Sequence, residues 1–226
     1  MSIDRSDSRL WPGLALLAAC GLLTNCVDAH ARFEDFQSRV QTTTPNPDAG
    51  DAAGASNGSD DGPCAPPDPG VVGGPALLAI NTSLISGLPI LFLGTIDTPA
   101  VDGTTAVHFV YQALDSKDRS TRVGEQLEVG PFPLDQGLLT APVPKSTLDG
   151  RANPIYYGSE IESEMILTGR ICGVQSFYCG TLTGATSGLL SGRFTGAFGI
   201  TLLSGPDAVP AQPRFGCGEE DLAPAL

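Results

Sequence analysis

Histidine is the side chain that most readily exchanges protons near neutral pH, and this chain of 226 residues holds two. His30 lies near the start of the sequence, so His108, between Val107 and Phe109, is the one imidazole open to a folded body. It is a candidate general base or ligand contact. The same position suits a sheet-face histidine with no chemical role. A Ser-His-Asp triad would have to use it, and no Gly-x-Ser-x-Gly turn exists to present a nucleophile. The two lysines, Lys117 and Lys145, follow no Ser-x-x-Lys pattern.

Glu160, Glu162 and Glu164 form a second candidate group. Alternate residues of a strand share a face at a spacing of roughly 7 Å. Carboxylates at that spacing could bind a cation, or act as an acid–base pair on a glycosidic bond. Alternation with Ile161 and Met165 is also what a half-exposed strand produces. Tyr156 and Tyr157 could stack on a sugar or peptide, although neighbours on a strand point to opposite faces. No phosphate-cradling loop or dinucleotide fingerprint is present. The sequence implies no cofactor.

Four cysteines lie beyond the first 26 residues: Cys64, Cys172, Cys179 and Cys217. Cys172 and Cys179 flank the turn-like Gly173-Val174-Gln175-Ser176, while Cys64 and Cys217 bracket the body. Those positions favour Cys172–Cys179 and Cys64–Cys217 disulfides, with the other two pairings open. Cys-x₆-Cys is not a usual zinc spacing and no histidine is near, so no metal site is expected.

The elements that must position these residues read as strands. In 105–114, Val107, Phe109, Tyr111 and Ala113 fall on one face, and His108, Val110 and Gln112 on the other. In 192–203, Phe194, Phe198, Ile200 and Leu202 oppose Arg193, Thr195 and Thr201. Segment 159–168 sets Ile161, Met165 and Leu167 against the three glutamates. Segments 76–82, 88–96, 121–129 and 176–183 complete the set. Gly and Pro clusters, Gly130-Pro131 and Gly205-Pro206 among them, separate these segments. Glycine (28) and proline (19) are too frequent for a helical bundle. The expected fold is all-β, an antiparallel β-sandwich or barrel-like domain over 71–217.

The N-terminal third reads differently. Residues 10–23 are apolar and uncharged, too short to span a bilayer and matched to the core of an export signal. Leu17-Ala18-Ala19-Cys20 has the small residues of a lipobox; Leu23-Thr24-Asn25-Cys26 is looser. Lipidation at Cys26 leaves four cysteines able to pair, whereas lipidation at Cys20 leaves an odd thiol. Cys26 is therefore the expected anchor, after a signal peptide at 1–25. Cys20 is the alternative, and a cut without lipid is a third reading. Residues 26–40 place Phe33, Phe36 and Val40 along one narrow helical stripe. Residues 41–70 contain six Pro, five Gly and five Asp and no Val, Ile, Leu or aromatic, which predicts a disordered acidic linker.

Cys26-Val27-Asp28, Arg32-Phe33-Glu34-Asp35-Phe36, Arg39-Val40 and the later Phe177-Tyr178-Cys179-Gly180-Thr181-Leu182-Thr183-Gly184 carry a resemblance. The chain looks like a group of exported lipoproteins of soil-dwelling Gram-negative bacteria that have no assigned activity. The resemblance implies an address and transfers no catalytic residue. It places the protein in the cell envelope, on the periplasmic face or surface of the outer membrane, with the membrane as one partner through the N-terminal lipid.

The formal charge of −13 argues against nucleic acid as a partner, since phosphate affinity needs Lys and Arg. The charge is unevenly spread. Residues 26–70 hold eight acidic and two basic side chains, and Glu219, Glu220 and Asp221 sit in an expected flexible tail at 218–226. Residues 71–217 hold twelve acidic and eight basic. The expected function is a noncatalytic binding or structural module facing an envelope protein or glycan. A carboxylate-based hydrolase on a β scaffold is the alternative.

Overall fold

A computed structural model describes residues 64–188 and 191–225. The readings of the export signal, of Cys20 and Cys26, of the helix at 26–40 and of most of the linker fall outside the described residues.

The body is all-β and antiparallel. Its strands are β1 (Gly73–Thr82), β2 (Ile90–Asp97), the short β3 (Ala100–Val101), β4 (Thr104–Leu114), β5 (Arg122–Pro133), β6 (Leu138–Leu148), β7 (Ile161–Arg170), β8 (Phe177–Ser187) and β9 (Gly192–Leu202). Apart from β3, which only flanks β4, and the unpaired β5/β6 step, each strand pairs with its successor, and the last pairs back onto the first. The spatial order is β5-β4-β2-β1-β9-β8-β7-β6. This is an up-and-down meander curled into an incompletely closed barrel. Seven of the strands were legible from alternation. β6 was not, because Pro142 and Pro144 interrupt its pattern.

Those prolines mark where the barrel fails to close. β5 ladders with β4 and β6 with β7, but β5 and β6 form no ladder with each other. Both edges carry prolines, Pro131 and Pro133 on β5 and Pro142 and Pro144 on β6. Proline lacks the N–H that a second ladder would need, so it is tolerated on an edge strand and blunts that edge against foreign strands. Both edges are also irregular, with register breaks at Val107/Phe109 and Gln112/Ala113 opposite β5, and between Val143 and Ser146 within β6. Gly130-Pro131, expected to end a strand, instead lies inside β5 at one of these breaks.

Inward side chains of every long strand make one core, including Leu78, Phe109, Leu139, Leu167, Leu182, Phe198 and Ile200. Phe198 has room because Gly169 and Gly180 face it; a Cβ on either would stand 2.9 or 2.7 Å from its ring. Gly180 and Gly184 are thus in-strand positions of close approach. A second core lies on the outside. Leu77, Ala79, Leu91 and Leu93 of β1 and β2 are covered by Phe215 and Ala223 from the C-terminal segment. Both faces of β1 and β2 are therefore buried, which is why Ala76-Leu77-Leu78-Ala79-Ile80 reads as a continuous apolar run.

The disulfide pairing expected from spacing is overturned. Cys64 bonds Cys172 and Cys179 bonds Cys217. Period two explains the second bond. Tyr178 points into the core, so Cys179 faces out, where the C-terminal segment runs along β8 and β9. Arg214 lies 4.0 Å above the Phe177 ring on that same surface. Cys172 follows the buried Ile171 in the β7–β8 loop and meets the N-terminal segment there.

That N-terminal segment closes one end of the barrel. Cys64 N–H donates to Gln136 O, Gly173 N–H to Ala65 O, and Thr105 Oγ1 to Pro67 O. The fully buried Thr98 hydroxyl both donates to Val72 O and accepts from Val72 N–H. Residues 64–70 thus belong to the body and not to the linker. The acidic tail folds back as well. Asp221 accepts from Gly218 N–H, Ala223 N–H donates to Pro213 O, and Ala223 is buried.

Candidate functional site

The opposite end of the barrel is open. Around it stand the β1–β2 loop, the β4–β5 loop, the β6–β7 segment and the β8–β9 turn. Beneath them is a depression of about 820 Å³, counting the space that opens to solvent; about 60 Å³ of it admits the centre of a water-sized sphere. Eight strands contribute to it, so it is the unfilled mouth of the barrel interior. Small eight-stranded barrels are just wide enough for side chains or for one small ligand.

The wall is mostly apolar, with Ile80, Ile90, Phe92, Val123, Leu127, Val143, Met165 and Phe194. Phe92 and Tyr111 meet edge-on at 5.1 Å. Polar groups interrupt this lining. Thr82, Tyr111, Ser146 and Ser163 line the cavity, and none of their hydroxyls has a hydrogen-bond partner among the described residues. Tyr111 is the most telling, at 7% exposed, with burial pushing its phenol up to about 12. Ser146 on β6 and Ser163 on β7 are register partners, and Ser163 also pairs with Thr186 on β8, giving a short row of hydroxyls across the wall. Two carboxylates stand at the rim. Asp149 is engaged by Arg151 through its backbone N–H at 2.8 Å and its Nε at 3.4 Å. Glu125 is exposed and makes no hydrogen bond or ion pair among the described residues. Among the described residues, no lysine, arginine or histidine lines the cavity.

The rim is well braced where the sheet is not closed. Gly150–Ala152 forms one 3₁₀ turn capped by Asp149. Asn153, fully buried, accepts from Ile155 and Tyr156 N–H and donates to Ser159 O. Ser116 N–H and hydroxyl both donate to Arg151 O, and the Tyr157 hydroxyl donates to Asp115 at 3.0 Å. The β4–β5 and β6–β7 loops are thus joined across the β5/β6 gap.

The side chains singled out from sequence do not converge. His108 faces outward from the barrel wall. Its Nδ1 is 2.8 Å from Asp97 on β2 and its Nε2 is 3.1 Å from Glu128 on β5. Partial burial pulls its pKa down, but hydrogen bonds and charge from Asp97 and then Glu128 outweigh this and the net shift is upward. Glu160, Glu162 and Glu164 are all exposed. Glu162 pairs with Lys145 at 2.7 Å and accepts from Ser187, and these contacts lower its pKa. Glu164 borders a groove on the outer surface, of about 1380 Å³ by the measure that gives the mouth about 820 Å³, shared with Pro142, Ile166 and Arg193. Tyr156 and Tyr157 stand about half exposed beside the mouth, with Lys117 3.6 Å over the Tyr157 ring. Among the described residues no cluster of His, Cys, Asp and Glu is placed to hold a metal ion.

The cavity residues escaped the sequence reading because each looks like ordinary core: Phe92, Tyr111 and Met165 satisfy the period-two pattern of their strands. A signal existed in Ser146, Ser163 and Thr186, hydroxyls on inward-facing registers. It becomes visible once β6 is recognised as a strand. No family model, curated protein or solved structure matches this chain.

Proposed function

We propose that this protein is an exported, lipid-anchored envelope lipoprotein whose β-domain is a noncatalytic binding module, with the barrel mouth as its binding site. The observation that carries the binding reading is the apolar cavity with unpartnered hydroxyls, Tyr111 foremost. A concave apolar site with a few polar groups is the general form of a small-ligand pocket. Two disulfides favour an oxidising compartment. The export signal and the expected acylation of Cys26 supply the address. The hydrolase alternative requires two carboxylates facing one concave site. None of the three glutamates lines the mouth and Glu164 alone borders the outer groove, so that reading would have to use the two rim carboxylates, Glu125 and the Arg151-paired Asp149.

Two experiments test the proposal. Calorimetric titration with octanol, octylamine and octanoate is expected to show saturable binding of at least one of them to the wild-type protein. Ser163→Phe, which fills the mouth, is expected to weaken it by roughly tenfold or more. Absence of binding by all three, or binding unchanged by the block, contradicts the mouth as the site. Intact mass of membrane-extracted protein is expected to show an acylated N-terminal Cys26. An unmodified N-terminus or a lipid on Cys20 contradicts the assigned anchor.

A further inference from the structure

The charged side chains described at the mouth are all of one sign. The cavity is lined by hydroxyls, apolar side chains and two rim carboxylates, and among the described residues no cationic side chain lines it. Asp149 is compensated by Arg151. Glu125 is not compensated by any described residue. An anionic head group entering here would lose water, face the Glu125 charge and find no cation. Each of those effects disfavours it. A head group with N–H or O–H donors meets the opposite situation. It can donate to Glu125 and exchange hydrogen bonds with Thr82, Ser146 or Ser163. A partnerless hydroxyl gains from such a contact.

The apolar part of the ligand is constrained by shape. Phe92, Val123, Leu127, Met165 and Phe194 line a space in which only about 60 Å³ admits the centre of a water-sized sphere. A single unbranched chain suits so little free space better than a fused ring system. Tyr111 places one hydroxyl within that apolar wall.

We infer that the mouth selects an amphiphile with one slender apolar chain and an uncharged or cationic hydrogen-bond-donating head, an alcohol or an amine, and discriminates against a carboxylate head. The inference rests on the mouth being the binding site and adds the class of ligand. Selection arises from one uncompensated acidic side chain, a device that works by disfavouring the wrong ligand as much as by favouring the right one.

The test compares octanol, octylamine and octanoate, three probes with the same chain, by calorimetry at neutral pH and low salt. Octylamine and octanol are expected to bind roughly tenfold or more tightly than octanoate. Glu125→Gln is expected to narrow the gap, and Glu125→Lys to reverse the order of octylamine and octanoate. Tyr111→Phe is expected to weaken octanol by roughly fivefold while sparing the fold, which circular dichroism and Tm report. Octanoate binding as tightly as the other two, or a ranking indifferent to residue 125, overturns the inference and leaves the mouth as a binding site. Failure of all three probes overturns both.

Discussion

The two ends of the barrel are built from the same strands and finished in opposite ways. At the closed end, residues 64–72 cross the opening and bond to the β4 strand and to the β5–β6, β7–β8 and β2–β3 connections, and the Cys64–Cys172 bond fixes them there. Val72 and Ile171 are fully buried beneath. At the mouth no described segment crosses, hydroxyls lack partners among the described residues, and Leu84, Leu88, Tyr156 and Tyr157 are exposed. The difference shows a division of labour. Covalent and hydrogen-bonded closure at one end supplies the stability that lets the other remain unfilled, since an unfilled apolar cavity is itself destabilising.

That comparison can be broken or sharpened by substitution. The largest effect is expected at the closed end. Replacing Cys64 and Cys172 together by Ala frees a span of 108 residues, and the chain-entropy relation puts the loss at about 4–5 kcal/mol. Removing Cys179–Cys217, which spans 38 residues, is expected to cost about 4 kcal/mol. Denaturant titration reads both. Equal stability with and without Cys64–Cys172 would break the account of closure. Peptide mapping of the oxidised protein checks the pairing itself and should join Cys64 to Cys172 and Cys179 to Cys217.

A matched truncation in the interior gives the next contrast. Phe198→Ala, at a residue 1% exposed and enclosed by Gly169 and Gly180, is expected to cost about 3–5 kcal/mol. Met165→Ala, on the half-buried mouth wall, is expected to cost about 1 kcal/mol, because its side chain already borders open space. Similar costs would mean that the mouth is as tightly packed as the closed end.

Rim bracing comes third. Asn153→Ala removes three hydrogen bonds of a fully buried side chain and leaves backbone N–H groups unsatisfied. A loss of about 2 kcal/mol in denaturant stability is expected, with faster amide exchange confined to residues 149–160.

The smallest effect is electrostatic and lies on neither end. His108 has a raised pKa in the folded protein, held between Asp97 and Glu128. A raised basic pKa stabilises the fold fully below the unfolded value, ordinarily about 6.5, and that contribution is lost as pH rises through the folded value. Stability of the wild type relative to His108→Gln should therefore fall slightly from pH 5 to pH 8, as read by Tm. The two carboxylates are 59% and 72% exposed, so the difference stays small. A difference that grows with rising pH contradicts the assigned pairing.

How much of this was legible in sequence follows from how each feature is encoded. Strand alternation is local, so β4, β7 and β9 could be read directly, down to the inward face of Val107, Phe109, Tyr111 and Ala113. β6 was hidden because Pro142 and Pro144 are strand breakers unless the strand lies at an edge, and edge position is a property of the whole sheet. Disulfide pairing is also non-local. Cys172 and Cys179 are near in sequence, yet they meet opposite termini of the body. The cavity was the least legible feature. Its residues come from eight strands, and each is individually indistinguishable from core. By contrast the conspicuous residues, His108 and the three glutamates, were visible because they are polar, and they are polar because they face out.

The most direct measurement is a titration of methyl-labelled protein with octylamine, followed by nuclear magnetic resonance. Shifts are expected at Ile80, Ile90, Val123, Leu127 and Ile161 around the mouth, with Val72, Leu134 and Ile171 at the stapled end and Ile166 on the outer groove unmoved. Shifts confined to the stapled end or the outer groove, with the mouth silent, would contradict it.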